Sequence, residues 1–229
     1  MAASARRAGL WWIAAAGLFW LAWLLMPGVG ITDADRILTL VAQQRAAVRL
    51  SAALQLVSAA CYAPALVGLV ASPRFGSRTG VRVGASLLLV GAMGSAADAV
   101  FHLLADAMLT PGLDRPTLVT VMQQMQGPGL RFILPLIAAY FAGAACLSVA
   151  LWRARLVPRW NALLHLAAIG VAVAGGVLLA GRPAALRAVG LTVLFLIAAA
   201  QAWLGARLLA GAASADPGAP REATTPRGR

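Results

Sequence analysis

Six apolar blocks, near residues 8–26, 47–71, 82–108, 130–151, 160–180 and 187–209, leave this chain few ways to fold. A helix needs about 20 apolar residues to cross a hydrocarbon core roughly 30 Å thick, and these blocks have that length. In lipid every backbone N–H and C=O must find a partner within the chain, so continuous apolar runs mean helices. A β-barrel would show short alternating segments instead. Of the 229 residues 61% are hydrophobic and only 11% charged. The expectation is an all-α, polytopic membrane bundle of six transmembrane helices, with the lipid bilayer as its first partner.

The formal net charge of +12 invites a nucleic-acid reading. The arginines are spread over every connection, however, and no soluble domain remains to present a basic groove, so no nucleic-acid partner is expected. The same charges orient the chain. Arg6, Arg7, Arg74, Arg78, Arg82, Arg153, Arg155, Arg159, Arg207, Arg221, Arg227 and Arg229 fall on one side. Arg36, Arg45, Arg49, Arg115, Arg131, Arg182 and Arg187 fall on the other, with Asp33, Asp35, Asp98, Asp106 and Asp114 on or toward it. The positive-inside rule then puts both termini in the cytoplasm. All 19 basic residues are arginine, which suggests GC-rich coding and a bacterial inner membrane.

Arg6 and Arg7 before an apolar run resemble a signal peptide. The length of that run, its Trp11, Trp12, Trp20 and Trp23, and its Met26-Pro27-Gly28 exit favour a retained helix. From Gly211 onward the chain is rich in Ala, Pro, Thr and Arg without apolar periodicity. The domain expectation is therefore a six-helix transmembrane domain over 1–210 and a disordered cytoplasmic tail over 211–229.

Two outer connections resemble each other. One reads Pro27-Gly28, Asp35-Arg36, Gln43-Gln44, Arg49, then Ala60-Cys61; the other Pro111-Gly112, Asp114-Arg115, Gln123-Gln124, Arg131, then Ala145-Cys146. A tandem two-helix repeat in parallel orientation, with the last two helices as a degenerate copy, fits this pattern, and parallel repeats build some transporters. Chance matching of Ala-rich helices fits it as well. Each connection also reads as a short surface helix. Thr32 and Asp35 have capping-box spacing ahead of Ile37, Leu38 and Val41, and Asp114 can cap a turn placing Leu118, Val121, Met122 and Met125 on one face.

Residues 91 to 106 carry the candidate site. Gly91, Ser95, Asp98, His102 and Asp106 recur at helical spacings of four, three, four and four within an apolar block. An acid in a membrane span costs a few kcal/mol by insertion scales and normally faces a bundle interior, a partner or a watery cavity. Gly91, Gly94 and Ser95 let neighbouring backbones approach, so this face belongs against protein. At 1.5 Å of rise per residue from Arg82, Asp98 lies roughly 24 Å along the helix, in the outer half. Arg49 and Arg131 begin the second and fourth spans near the level of Asp106, and either can pair with it. Ser95, Asp98, His102, Asp106, Arg49, Arg131 and Tyr140 are the candidate ligand-binding residues.

Other chemistries find less support. His102 and His165 sit near opposite faces, which argues against a bis-histidine haem. Asp98, His102 and Asp106 would bring three metal ligands from one helix, two turns apart, poor geometry for tetrahedral zinc. No metal and no cofactor is expected. Cys61 and Cys146 lack a C-x-x-C spacing and read as packing residues. Pro64 and Pro135 lie inside the second and fourth spans, where kinks would open space beside the third. Trp11, Trp12, Trp152, Trp160 and Trp203 read as an aromatic belt at the cytoplasmic level, and His165, following Trp160 and Asn161, as a residue with a local partner. No phosphate loop, G-x-G-x-x-G, H-E-x-x-H, G-x-S-x-G or paired-aspartate prenyl-diphosphate motif appears.

The connection Leu151-Trp152-Arg153-Ala154-Arg155-Leu156-Val157-Pro158-Arg159-Trp160, with an aliphatic helix on each side, resembles that of a broad group of uncharacterised six-helix membrane proteins of GC-rich bacteria. The resemblance implies a fold and a membrane, and carries over no activity or site residue.

Three uses of the polar face remain open. The leading one is binding, with proton-linked movement as an extension, of a small lipophilic or protonatable ligand at an outward-facing pocket lined by Asp98 and His102. The second is a lipid- or isoprenoid-modifying enzyme with Asp98 as general acid or base and His102 tuning it. The third is a structural role in a homo-oligomer or beside a partner subunit, with Asp98 pairing across chains.

Overall fold

The computed structural model describes residues 2–72, 75–76, 78–109, 112–179 and 181–213. Six of its helices are long and apolar enough to cross a membrane: α1 (Ala2–Leu25), α3 (Arg45–Ala71), α4 (Thr79–Met108), α6 (Leu130–Arg153), α7 (Arg159–Leu178) and α8 (Pro183–Ala213). The chain is a multi-pass membrane protein. These bounds match the six apolar blocks closely. The largest shift is at α1, which starts at Ala2; α8 also starts early, at Pro183, where a missing N–H costs nothing because a first helical turn leaves its donors free anyway. The expected tail lies outside the described residues from Ser214 onward.

Two ten-residue helices, α2 (Ala34–Gln43) and α5 (Arg115–Gln124), cap one end. Asp33 caps α2 in extended geometry, its carboxylate accepting from the Arg36 amide at 2.7 Å. The cap therefore falls one residue after Thr32, and the expected capping box with Asp35 does not form. An aspartate accepts an orphan amide as well as a threonine does, and using Asp33 turns Ala34, Leu38 and Val41 inward. Asp114 caps α5 as anticipated, accepting from both the amide and the hydroxyl of Thr117 at 3.0 Å. These contacts hold its carboxyl below the ordinary aspartate range, with the backbone hydrogen bond as the first cause. Ala34, Leu38, Val41, Val48, Ala105, Leu118 and Met122 form a small apolar core that seats both caps on α3 and α4. Arg115 ties them across the top, Nε to Asp35 Oδ1 at 2.7 Å and a terminal nitrogen to Thr39 Oγ1 at 2.7 Å. The caps join their long helices differently. Gln44 breaks α2 from α3, whereas α5 runs into α6 through one wide π-helical turn, Met125–Gly129.

Each long helix packs against two others. α1 lies against α3 and α8, α4 against α3 and α6, and α7 against α6 and α8, so the six close into a ring. Trp12, Phe19, Tyr62, Leu88, Tyr140, Leu147 and Ile197 fill its interior. Side chains such as Phe132, Val177 and Leu178 point outward and exposed, as expected of helices that are apolar on every face and meet lipid on one. α4 and α6 approach through glycine: a Cβ on Gly84 would fall 2.6 Å from the Leu147 nitrogen, and Cβ atoms on Gly91 or Gly143 would run into the backbones of Tyr140 and Leu88. The small residues of α4 thus do what their pattern implied.

Trp12 departs from the expected aromatic belt. It is fully buried, edge-on to the Tyr62 ring with centroids 6.4 Å apart. One helical position separates it from Trp11, which is exposed, and a step of about 100° around the helix is enough to turn one ring to lipid and the next to the core. Trp152 and Trp160 are exposed as a belt requires, and Trp160 packs against Trp203 at 4.9 Å.

Candidate functional site

Asp98 stands where two cavities adjoin. The first, about 240 Å3, lies inside the ring and is walled by Phe19 of α1, Gly91 and Ser95 of α4, Tyr140 and Phe141 of α6, and Val193 of α8. The second, about 330 Å3, lies beneath the caps, among Met26, Ile37, Phe101, His102, Met122 and Gln126. Asp98, Trp23 and Ile137 line both. The inner cavity is bounded by aromatic and aliphatic side chains, and the vestibule adds an imidazole and an amide. Gly190 on α8 keeps the inner cavity open, because a Cβ there would meet nothing within 4 Å.

Three side chains define the polar centre. His102 Nε2 lies 3.2 Å from Asp98 Oδ2, one helical turn apart as their spacing implied. Gln55, fully buried on α3, reaches across to the same carboxylate. With its amide nitrogen turned toward α4, it donates to Asp98 Oδ2 at 3.3 Å and to the Ser95 carbonyl at 3.2 Å; the surrounding acceptors decide that orientation. The Asp98 side chain is 15% exposed and that of His102 28%. Ser95 Oγ and Trp23 Nε1, on two lining residues, have no hydrogen-bond partner within the described protein.

Asp106 takes another part. It is eight residues beyond Asp98, hence turned about 80° further round the helix, and faces α3. Arg45 Nε meets its Oδ1 at 2.5 Å and Arg49 Nε its Oδ2 at 2.7 Å. Arg49 is thus the partner foreseen for Asp106, joined by Arg45 one turn earlier. Arg131 is exposed at the start of α6 and forms no ion pair among the described residues. Asp106, Arg49 and Arg131 line neither cavity, whereas Ser95, Asp98, His102 and Tyr140 do.

No protein-family model, curated protein or solved structure matches the chain. The site must therefore be read from its own chemistry.

Tyr140 links the cavity to a second buried polar group. Its hydroxyl lies 2.8 Å from that of Tyr62, which donates to the Gln201 carbonyl oxygen. Phe19 stacks on the Tyr140 ring at 4.8 Å. Further toward the uncapped end, His165 Nδ1 is 2.9 Å from the Asn161 carbonyl and 3.1 Å from Ser148 Oγ, and the Asn161 amide donates to the Ala200 carbonyl. His165 has the local partners expected, in the buried contact of α6 with α7. Cys61 and Cys146 are free thiols, the latter within 3.7 Å of the Gly80 carbonyl. Among the described residues no three His, Cys, Asp or Glu side chains gather in a way that could hold a metal.

Gln55, Trp23 and Gln201 escaped the sequence reading. The two glutamines carried a usable signal, since an amide in the middle of an apolar span needs a buried partner for the same reason as an acid. Trp23 carried none, being one of four tryptophans on α1.

Proposed function

We propose that the chain is a membrane-embedded binding protein that admits a small lipophilic ligand from its capped end into the cavity of the helix ring. The observation that carries this reading is the meeting of two cavities at an intramembrane carboxylate. An acid at that depth needs a purpose, and a concave, mostly apolar space with a few convergent polar groups is the usual form of a small-molecule site. The arginine asymmetry orients the caps outward, in a bacterial inner membrane with both termini cytoplasmic. Asp98 and His102, in hydrogen-bond contact, supply the proton-exchanging pair that proton-linked movement of the ligand would use.

Filling the cavity tests the reading. Gly190→Phe places a ring where a Cβ has free space, so the protein is expected to keep its thermal stability in detergent. Binding of phenethyl alcohol, followed by scintillation proximity with the labelled compound, is expected to fall at least tenfold. Unchanged binding in that variant would remove the cavity from consideration.

A further inference from the structure

We propose that the ligand is a lipophilic amine, held as its ammonium ion with the nitrogen at Asp98 and its apolar body in the inner cavity. The inference rests on the binding reading above and adds the chemical class.

The argument is one of charge and partners. Asp98 brings a carboxylate to the junction of the two cavities. Its protein neighbours there are an amide, from Gln55, and an imidazole, from His102. Neither supplies the permanent charge that a guanidinium would. Two arginines at the start of α3, the helix that brings Gln55 to Asp98, are Arg45 and Arg49, and both are engaged by Asp106. The contrast between the two acids of α4 is therefore sharp: Asp106 has two arginines and lines neither cavity, and Asp98, with no arginine paired to it among the described residues, lines both. A carboxylate largely withdrawn from water, as the half-buried Asp98 is, calls for a paired charge, and an ammonium delivered by the ligand is a charge that can reach this one.

The walls agree with that assignment. Trp23 lines both cavities beside Asp98, and Tyr140 and Phe19 line the inner one. Aromatic faces attract ammonium groups, and more so away from water. The inner cavity, at about 240 Å3, exceeds the roughly 150 Å3 engineered cavity that binds benzene, so a single-ring hydrocarbon body fits. A multiply charged or sugar-like molecule would leave its polar groups unpaired against Phe19, Phe141 and Val193. The feature that opposes the proposal is the excess of arginines over aspartates at the capped end, seven against five, which would favour an anion. An anionic probe is therefore part of the test.

Three probes share one phenethyl body and differ at its end: phenethylamine, phenethyl alcohol and 3-phenylpropionate. Binding is measured by scintillation proximity on the full chain in maltoside micelles. The expected order is amine tightest, by about tenfold or more over the alcohol, as hydrogen bonds to charged groups are worth more than neutral ones, with the carboxylate weakest. Asp98→Asn is expected to abolish the tenfold preference for the amine, read as the ratio of amine to alcohol affinity within the same variant. Equal affinity for amine and alcohol in the wild type, or tighter binding of the carboxylate, overturns the amine assignment and leaves the cavity reading standing; neither result depends on a variant folding. Absence of binding by all three probes, or binding that survives Gly190→Phe, overturns both. An ammonium can arrive on a free amine or on a lipid headgroup. Inhibition of phenethylamine binding by added phosphatidylethanolamine would assign it to the lipid, and indifference to that lipid would assign it to a free amine.

Discussion

The helix–cap–helix units α1–α2–α3 and α4–α5–α6 share an element order but are fastened by different chemistry. In the first, serine hydroxyls of α3 bond to backbone carbonyls of α1: Ser51 to Ala22 at 2.7 Å and Ser58 to Ala15 at 2.8 Å. In the second, α4 and α6 meet through glycines whose missing side chains let the backbones touch. Glycine packing leaves the polar residues of α4 free of duty in the helix pair, and it is this unit that carries Ser95, Asp98 and His102. With Pro27-Gly28 set against Pro111-Gly112 in the sequence, the first unit has Ala14 and Leu18 at the positions of Asp98 and His102. The lesson is that a helix can present an acid to a cavity when its fastening is done by residues with no side chain to offer.

The largest test of that contrast is to spoil the glycine contact. Gly91→Leu forces a side chain into the Tyr140 backbone, and overpacking of this kind costs about 3 kcal/mol or more. Thermal unfolding in detergent is expected to show a large loss, against a change within about 0.5 kcal/mol for Gly17→Leu on α1, where a Cβ has nothing within 4 Å. Equal effects at the two positions would break the comparison.

A smaller effect is expected in the first unit. Ser58→Ala removes one interhelical hydrogen bond, worth about 1 kcal/mol and averaging nearer 0.6 in membranes. The loss should appear in the same unfolding measurement, with phenethyl alcohol binding unchanged because α3 and α1 keep their packing. A drop in that binding would mean that the first unit also shapes the cavity.

The smallest effect separates the caps by pH. The Asp114 carboxyl is held low by the Thr117 amide and hydroxyl. A depressed folded pKa contributes stability that is present above the unfolded aspartate value, near 3.9, and is lost as pH falls through the folded one. Amide hydrogen-exchange protection in the first turn of α5, taken relative to the unstructured chain at each pH, should therefore fall on acidification below about pH 4. Asp114→Asn, which keeps a capping oxygen, should be insensitive over that window; an equal response from it would refute the assignment.

The spans and both cap helices were legible in the sequence because each depends on local facts: apolar length for α1, α3, α4, α6, α7 and α8, an amphipathic turn for α2, whose cap the spacing puts at Thr32 and the structure at Asp33, and an aspartate before such a turn for α5. The spacing of Asp98 and His102 likewise fixed their contact, since four residues make one turn. What could not be read was rotation about each helix axis against its neighbours. That angle decides that Trp12 is buried beside exposed Trp11, that Arg45 joins Arg49 on Asp106 while Arg131 forms no ion pair among the described residues, and that Gln55 of α3 arrives at Asp98. None of these pairings has a signature shorter than the tertiary fold.

The unbroken passage from α5 into α6 has a mechanical consequence. Arg115 to Arg153 is one helical rod of 39 residues, carrying the Asp35 contact near one end and Ile137, Tyr140 and Phe141 along its shaft. No loop separates cap from wall, so a displacement of α5 must either be absorbed in the wide turn at Met125–Gly129, with its Gly127-Pro128-Gly129, or be passed on as torque to α6. The cap and the cavity wall are two stations on a single lever, with compliance at that turn and at Pro135 in the shaft.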